Sequence, residues 1–231
     1  MKGKWPNRNY IDLFSGPGIC RVRGTKTEIL GSPLLAIEAK YRFTRYIFND
    51  AERAYVDALR DRVERYDGVN ADFLNLDCNS AARAIPASLP AGSLSLALID
   101  PFNWQMRLES IAALTRDQRM DLIITFHSGS IKRAADHQLP ALDNFFGDES
   151  WRKEYNKTRR SASLQGTRVL LDCYERSLSD LGYVFVDDEV LIPNSRGTPL
   201  YHLILASKHR RAAEFWGKIS SRDRGGQRRL L

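Results

Sequence analysis

The chain has 231 residues, of which 43% are hydrophobic, and its formal net charge is +7. This length fits one large domain or a domain with an insert. No apolar run approaches the about 20 residues that a membrane-spanning helix needs, and the first residues lack the apolar segment of a signal peptide. The three cysteines are widely spaced, which excludes a disulfide framework and a zinc site and favours a cytoplasmic protein with reduced thiols.

The first predicted strand ends in a carboxylate and breaks into a glycine turn, in the sequence Tyr-Ile-Asp-Leu-Phe-Ser-Gly-Pro-Gly from Tyr10 to Gly18. Because glycine has no Cβ, a ligand can approach the backbone at Gly16 and Gly18. In an open α/β sheet such a loop lies at the carboxyl end of a strand, where ligands bind. The dinucleotide fingerprint is incomplete, since Arg21 stands at its third glycine position. We therefore expect a nucleotide-like cofactor of another kind.

The next three predicted strands end in acids, which are Asp50, Asp72 and Asp100. A carboxylate can accept two hydroxyl hydrogen bonds at once, so Asp50 is assigned to the ribose hydroxyls of the cofactor. Asp72 is placed in reach of an adenine amino group. Each acid could instead be the N-cap of the helix that follows its strand, and for Asp50 both roles can hold together. Four strand-terminal acids in order, counting Asp12, favour a binding site.

The rest of the chain alternates helical and strand patterns as far as a fifth strand, Asp121 to His127, and then adds a long helix and two more strands, Tyr183 to Val186 and Leu200 to Ala206. This order predicts an α/β fold with a seven-stranded, mostly parallel sheet and helices on both faces. The connection from Ile19 to Gly31 exceeds the usual length of about 2–6 residues, which favours a functional role.

Residues 128–163 are extra to this plan and follow the fifth strand, so we expect a lid or substrate-recognition insert within one domain over residues 1–218. Two further residues are candidates for substrate contact: Trp104, after the fourth strand, could form the wall of a pocket, and His127, at the end of the fifth strand, could face the cofactor edge. Each has a structural alternative, core packing for Trp104 and a surface or structural position for His127.

Basic residues concentrate in two places. The last 25 residues carry eight Lys and Arg against two acids, a net charge of +6, so the tail from 219 to 231 is predicted to be mobile and to meet nucleic acid. A second cluster interleaves cations with Trp151 and Tyr155, a pattern that suits phosphate contact and base stacking. A solvated end and an amphipathic surface helix explain the same residues. The cations of the second cluster that are candidate substrate residues are Arg152, Lys153, Arg159 and Arg160.

The spacing D-x-x-x-G-x-G resembles the first motif of class I S-adenosylmethionine-dependent methyltransferases. The resemblance implies a Rossmann-like methyltransferase fold and S-adenosylmethionine as cofactor. Asp12 would then help to hold the ammonium group of the cofactor, and Gly16 and Gly18 would pass under its methionine part. Phe14 replaces the usual earlier glycine, in a D-L-F variant that is also seen in DNA cytosine-C5 methyltransferases. A cytosine-C5 mechanism is not expected, because its cysteine nucleophile follows a proline and no Pro-Cys occurs in this chain.

The sequence Asp100-Pro101-Phe102 resembles the motif that amino-methyltransferases place after the fourth strand of their sheet. It is similar to the D-P-F motif of tRNA N2,N2-dimethylguanosine methyltransferases, although the second proline of the commoner pattern is missing. The resemblance implies that Asp100 and the Pro101 carbonyl accept hydrogen bonds from a target amine and that Phe102 stacks on the base. A strand-ending Asp-Pro turn is the alternative.

Across nearly the whole chain, a narrower resemblance is to the three-Cys-motif partner protein family. It is carried by the first motif, by Gly31 to Leu34, by Ile47 to Asp50, by Ile99 to Phe102, by the segment from Phe145 to Trp151, and by the ending from Tyr201 to Trp216. The resemblance implies a methyltransferase-like fold and a partner protein with a three-cysteine motif. Two functions follow: a methyltransferase acting on an amine, with nucleic acid favoured, or a non-catalytic module that serves such a partner.

Overall fold

The computed structural model describes residues 5–22, 24–158, 163–193 and 199–220. Within them, nine strands and nine α-helices follow one another along the chain. The strands are β1 Arg8–Asp12, β2 Ile19–Arg21, β3 Glu28–Leu30, β4 Arg45–Asn49, β5 Ala71–Leu74, β6 Leu94–Ile99, β7 Arg119–Phe126, β8 Phe185–Pro193 and β9 Pro199–Ser207. The helices are α1 Ser32–Glu38, α2 Arg53–Val63, α3 Cys78–Ala84, α4 Leu108–Thr115, α5 Ser128–Ala134, α6 Leu139–Phe146, α7 Ser150–Thr158, α8 Ser163–Asp180 and α9 Arg210–Ser220, with a 3₁₀ turn at Ile85–Ser88.

The chain divides into two compact units. The first comprises Met1–Pro101 with Ser110–Met120, and the second comprises Phe102–Glu109 with Asp121–Leu231. Seven strands belong to the main sheet, while β2 and β3 form a separate two-stranded sheet. The prediction of an α/β fold with a mostly parallel sheet is confirmed. The predicted insert at 128–163 contains α5, α6 and α7, and its role as a lid stays a prediction.

The first unit is built on four parallel strands in the order β5-β4-β1-β6. Parallel strands direct their carboxyl ends to one edge, and the register places Asp12 of β1 opposite Phe48 of β4 and Leu98 of β6. Helix α2 presents Val56, Leu59 and Val63 to the core at spacings of three and four residues. The core cluster of this unit contains Tyr10, Leu34, Ile37, Tyr46, Phe48, Leu59 and Val63.

The second unit contains an antiparallel arrangement in which β9 pairs with both β7 and β8. Its core is rich in stacked and tilted aromatic rings, and the Phe145 and Tyr174 ring centroids lie 4.5 Å apart. Helix α9 ends at Ser220, two residues into the predicted tail, and residues 221–231 of the tail lie outside the described residues. In the part of the chain that the structure describes, no helix combines the length and apolar character needed to cross a membrane.

Candidate functional site

The glycine loop, residues 13–18, leaves β1 at the carboxyl edge of the first unit and is held by backbone hydrogen bonds. The amide of Ser15 donates to the carbonyl of Asn49 at 2.9 Å, and the amide of Gly16 donates to Oδ2 of Asp50 at 2.9 Å. Gly16 has a positive φ of 59°, and a Cβ added there would have no atom within 4 Å. The backbone at Gly16 therefore borders open space, and its predicted contact with a cofactor stays a prediction.

The second glycine of the loop has a different environment. Gly18 has a φ of 81°, and an added Cβ would lie 2.6 Å from Cδ1 of the buried Leu59. Its missing side chain therefore allows the loop to pack on α2, and it does not open a path for a ligand. Helix α2 also holds the loop through Arg62, whose guanidinium donates to the carbonyl of Pro17 at 2.8 Å.

Asp12 is fully buried beneath this loop. Its carboxylate accepts hydrogen bonds from Oγ of Ser32 at 2.7 Å, from the amide of Phe14 at 3.2 Å and from the hydroxyl of Tyr10 at 3.3 Å. The pKa of Asp12 is raised to about 6, chiefly by burial and least by the negative charge of Asp100, while the three hydrogen bonds oppose the shift. The site therefore contains a buried carboxyl group whose charge a nearby cation would stabilise.

Ser32 has a role that its sequence position conceals. Serine is a favoured N-cap residue, but Gly31 is the N-cap of α1, and the Ser32 hydroxyl donates to Asp12 instead. The start of α1 and the end of β1 are thereby joined through one carboxylate.

Asp50 follows β4 and links three elements. Its Oδ2 accepts from Gly16, and its Oδ1 accepts from the amide of Glu52 at 2.9 Å, just before α2 begins. Both the loop and the helix start are thus fixed by one carboxylate. Each oxygen has lone pairs beyond its single hydrogen bond, so the arrangement leaves acceptor capacity for ribose hydroxyls.

Asp72 does not occupy the strand end at which the sequence places it. Strand β5 continues to Leu74, and Asp72 pairs in register with Ile47, two residues before the end of β4. Its carboxylate accepts from Nε of Arg45 at 2.6 Å. The carboxyl end of β5 is instead followed by Asn75, Leu76 and Asp77, and Asp77 caps α3.

The side-chain amides of Asn49 and Asn75, which the sequence analysis did not single out, fix the loops at this edge of the sheet. Asn49 is 1% exposed, and its Nδ2 donates to the carbonyls of Leu13 and Leu76 at 3.1 Å each. Nδ2 of Asn75 donates to the carbonyls of Asp50 and Ala51 at 3.0 and 2.9 Å. The sequence could have identified Asn49, because a side-chain amide inside a buried strand must find hydrogen-bond partners.

Asp100 and Pro101 follow β6 in the first unit, where Asp100 is exposed and Pro101 is buried. Among the causes that raise the pKa of Asp12, the negative charge of Asp100 is the smallest. Phe102 and Trp104 belong to the second unit. Phe102 is 84% exposed and its amide donates to Oε1 of Gln105, while Trp104 is half-buried.

His127 follows β7 in the second unit, and its ring centroid lies 5.7 Å from that of Tyr201. Nε2 of His127 and Oγ of the adjacent Ser128 are both buried and find no hydrogen-bond partner among the described residues. Such groups are uncommon in folded proteins and call for an explanation, such as a bound ligand or an ordered water.

The described residues of the second basic cluster belong to helix α7, and its aromatic residues pack inside the protein. Trp151 and Tyr155 are 1% and 5% exposed, so neither ring can stack on a base, contrary to the suggestion from the sequence. Arg152 is bound to Asp143 of α6, while Lys153 is exposed. Arg159 and Arg160 lie outside the described residues.

The structure thus brings Asp12, the glycine loop and Asp50 together at one edge of the first unit, and it separates Asp72 from them. In the described ranges, no three His, Cys, Asp or Glu side chains form a group that could hold a metal ion. The three cysteines are free thiols, of which Cys20 is exposed.

No family model matches this chain, and no curated protein matches it. Among solved structures, a DUF519-family protein from Legionella pneumophila has a TM-score of 0.55 at 11% identity, covering 87% of this chain and 77% of that chain. Trm1 from Pyrococcus horikoshii, solved with S-adenosyl-L-methionine, has a TM-score of 0.47 at 14% identity, with coverages of 91% and 53%. Geranyl diphosphate C-methyltransferase from Streptomyces coelicolor, solved with S-adenosyl-L-homocysteine, has a TM-score of 0.41 at 13% identity, with coverages of 89% and 72%. The match to the Legionella protein shows a shared fold.

Proposed function

We propose that this protein is an S-adenosylmethionine-dependent methyltransferase that acts on an exocyclic or other amine, with nucleic acid as its favoured substrate. The observation that carries the proposal is the glycine loop, which Asp50 fixes above the buried Asp12 and which borders open space at Gly16. A cationic amino-acid moiety fits this arrangement because it would come close to the backbone and would find a buried negative charge.

In this proposal, different residues of the first unit bind different parts of the cofactor. Asp12 acts on the ammonium end through its charge, Phe14 and Gly16 line the methionine part, and Asp50 accepts from the ribose hydroxyls. For the adenine we replace Asp72 by Asn75 and Leu76, since Asp72 is engaged with Arg45 and the latter two follow the end of β5. The Asn75 side-chain oxygen can accept from an adenine amino group.

The cofactor supplies a methyl group that its sulfonium already activates, so the protein needs little acid–base chemistry. Asp100 and the Pro101 carbonyl would accept hydrogen bonds from the target amine and orient its lone pair for in-line attack. Asp100 would also oppose the positive charge that develops on the nitrogen. The amine loses one proton when it gains the methyl group, and the exposure of Asp100 lets that proton reach solvent.

Phe102, which follows in the chain, would stack on the base that carries the amine, because its exposed ring has a face free for contact. A cytoplasmic location, nucleic-acid contact through the tail from 219 to 231, and a three-cysteine-motif partner belong to the same proposal. Each rests on the sequence alone.

A calorimetric titration with S-adenosylhomocysteine tests the cofactor assignment. We expect binding by the native protein and binding about tenfold weaker in Asp50→Ala, because a ribose hydroxyl loses its acceptor at a cost of roughly 1–3 kcal/mol. Asp57→Ala is the matched control, since Asp57 is an exposed carboxylate of α2 that pairs with Arg53. Equal affinity in both variants would reject the role of Asp50.

Transfer of a radiolabelled methyl group to an RNA pool tests the reaction. Asp100→Ala should reduce transfer far more than it reduces affinity for S-adenosylhomocysteine. A protein that binds the cofactor but transfers no methyl group to RNA, DNA or protein would instead support the non-catalytic partner module.

A further inference from the structure

The connection between the glycine loop and α1 is the β2–β3 hairpin, and nothing in the chemistry above uses it. Its register pairs Ile19 with Leu30, Cys20 with Ile29, and Arg21 with Glu28. An isolated two-stranded hairpin is marginally stable in water, so it must gain stability from what it packs against.

The two faces of the hairpin differ. Directly opposite residues share a face, and successive residues alternate. Ile19 and Leu30 pack against the core of the first unit. The other face carries Cys20, Ile29 and, two residues beyond Cys20, Val22; this apolar strip is exposed, with Ile29 at 53% and Val22 at 39%.

Hydrogen bonds among Val22, Thr25 and Thr27 connect the two sides of the hairpin near its tip. The amide of Val22 donates to the carbonyl of Thr27 at 2.9 Å, and the Thr25 hydroxyl donates back to the carbonyl of Val22 at 2.9 Å. These bonds join backbone and side-chain groups on either side of the exposed Lys26.

The base of the hairpin is fixed to the glycine loop. The amide of Gly31 donates to the carbonyl of Gly18 at 2.8 Å, and a Cβ added at Gly31 would lie 3.2 Å from backbone atoms of Gly18. A polymer that touches the hairpin is thereby held beside the loop that we assign to the cofactor.

We propose that the β2–β3 hairpin is a nucleic-acid contact element, in which the basic tip contacts phosphates and the apolar strip lies against bases. The segment from Ile19 to Leu30 carries three basic residues and one acid, a net charge of +2 within a chain of net charge +7. The acid, Glu28, forms an exposed ion pair with Arg21 that contributes little. Aliphatic side chains such as isoleucine can insert at base steps, next to cations that bind the backbone.

The size of the strip favours nucleic acid over a protein partner. Two aliphatic side chains and one thiol offer far less than the about 800 Å² per partner that a stable protein interface buries. Phosphate contacts do not need such an area, because the release of counterions drives them. The inference rests on the proposed function only in taking nucleic acid as the substrate.

Cys20 provides a direct test, because it lies within the strip while Cys78 and Cys173 are buried. The full-length protein is treated with N-ethylmaleimide, and modification of each thiol is followed by mass spectrometry. We expect a mixed-sequence single-stranded RNA, or DNA of the same sequence, to slow the reaction of Cys20 and to leave the other two thiols unchanged. Heparin, a polyanion without bases, should protect Cys20 less at equal occupancy.

Two variants separate the tip from the strip. Lys26→Gln should weaken RNA binding and reduce the slope of log affinity against log salt by about 0.7–0.9, the value for one phosphate contact. Lys40→Gln is the charge-matched control outside the hairpin and should leave the slope unchanged. Ile29→Ser should weaken binding roughly tenfold with an unchanged slope, because it removes apolar contact and no charge.

The inference is overturned if RNA binds but leaves Cys20 fully reactive, or if Lys26→Gln and Lys40→Gln behave alike. Protection of Cys20 by a protein and not by RNA would assign the strip to that protein instead. The titration with S-adenosylhomocysteine is independent of these readouts. Loss of cofactor binding with intact protection of Cys20 would therefore reject the methyltransferase proposal and keep the hairpin assignment.

Discussion

The buried polar groups at the glycine-loop edge of the first unit and at the carboxyl end of β7 in the second unit differ in whether they have hydrogen-bond partners. At the first, Asp12, Asn49 and Asp50 each have partners within the protein. At the second, Nε2 of His127 and Oγ of Ser128 have none among the described residues.

This difference indicates two kinds of site. Fully bonded polar groups hold a shape before any ligand arrives, which suits the recognition of one constant cofactor. A buried polar atom without a partner costs roughly 1–3 kcal/mol, so it persists where a ligand or water can satisfy it. Substitutions in the first region should therefore change stability, and those in the second should change function with little effect on stability.

The largest expected effect comes from the two loop glycines. Gly18→Ala should destabilise the protein by about 2–4 kcal/mol, since it adds left-handed strain to a clash with Leu59. Gly16→Ala should cost about 1–2 kcal/mol, because only the strain applies, while its Cβ enters the open space and weakens S-adenosylhomocysteine binding. Urea denaturation and calorimetry measure both quantities. Equal losses of stability would contradict the different environments of the two glycines.

Asp12 should make stability depend on pH in a defined direction. The pKa of Asp12 rises from 3.8 to about 6 on folding, so the folded protein binds its proton more tightly and loses stability as the pH rises through this range. Above about pH 6 the cost reaches ~3 kcal/mol, and below about pH 4 it vanishes. Asp12→Asn removes this dependence.

Urea denaturation of both proteins across this pH range is the measurement. The stability of Asp12→Asn relative to the native protein should improve as the pH increases, even if lost hydrogen bonds lower it overall. A difference that stays constant with pH would show that the carboxyl group is not the cause. Affinity for S-adenosylhomocysteine should fall in the variant at neutral pH, because the buried negative charge is gone.

Asn75 and Asp72 distinguish the structural assignment of the adenine contact from the one based on sequence. Asn75→Ala should weaken S-adenosylhomocysteine binding about tenfold, because an adenine amino group loses its acceptor. Asp72→Ala should leave affinity unchanged and cost no more than about 1 kcal/mol, since its ion pair with Arg45 is partly exposed. The reverse pattern in calorimetry would restore Asp72 to the site.

The case of Asp72 shows where sequence reasoning stops. The succession of the main-sheet strands along the chain and the glycine loop could be predicted, because apolar runs and Gly-Pro punctuation indicate local structure. The position of Asp72 depends on where β5 ends and on which residue it opposes in β4, and a short polar segment does not fix that register. The hairpin within 19–31 was expected to be functional, but its two short strands carry too few residues for a periodic pattern.

The burial of Trp151 teaches the same lesson in the second unit. Alternating cations and aromatics look alike whether the rings face solvent or the core, and only the packing of α7 decides. The hydrogen bond from Nε1 of Trp151 to Asp143 satisfies the ring inside the protein.

The smallest expected change in stability comes from Ser128, and it gives the sharpest comparison between two buried serines of the second unit. Ser128→Ala removes a hydroxyl that has no partner, so stability should stay the same or rise by up to about 1 kcal/mol. Ser207→Ala should instead cost about 1–3 kcal/mol, because the Ser207 hydroxyl donates to Oδ1 of the half-buried Asp121 at 2.6 Å. If the orphaned hydroxyl serves the substrate, Ser128→Ala should also reduce methyl transfer at an unchanged affinity for S-adenosylhomocysteine. A clear loss of stability in Ser128→Ala, equal to that in Ser207→Ala, would mean that a bound water already satisfies Ser128 and that this end of β7 is structural.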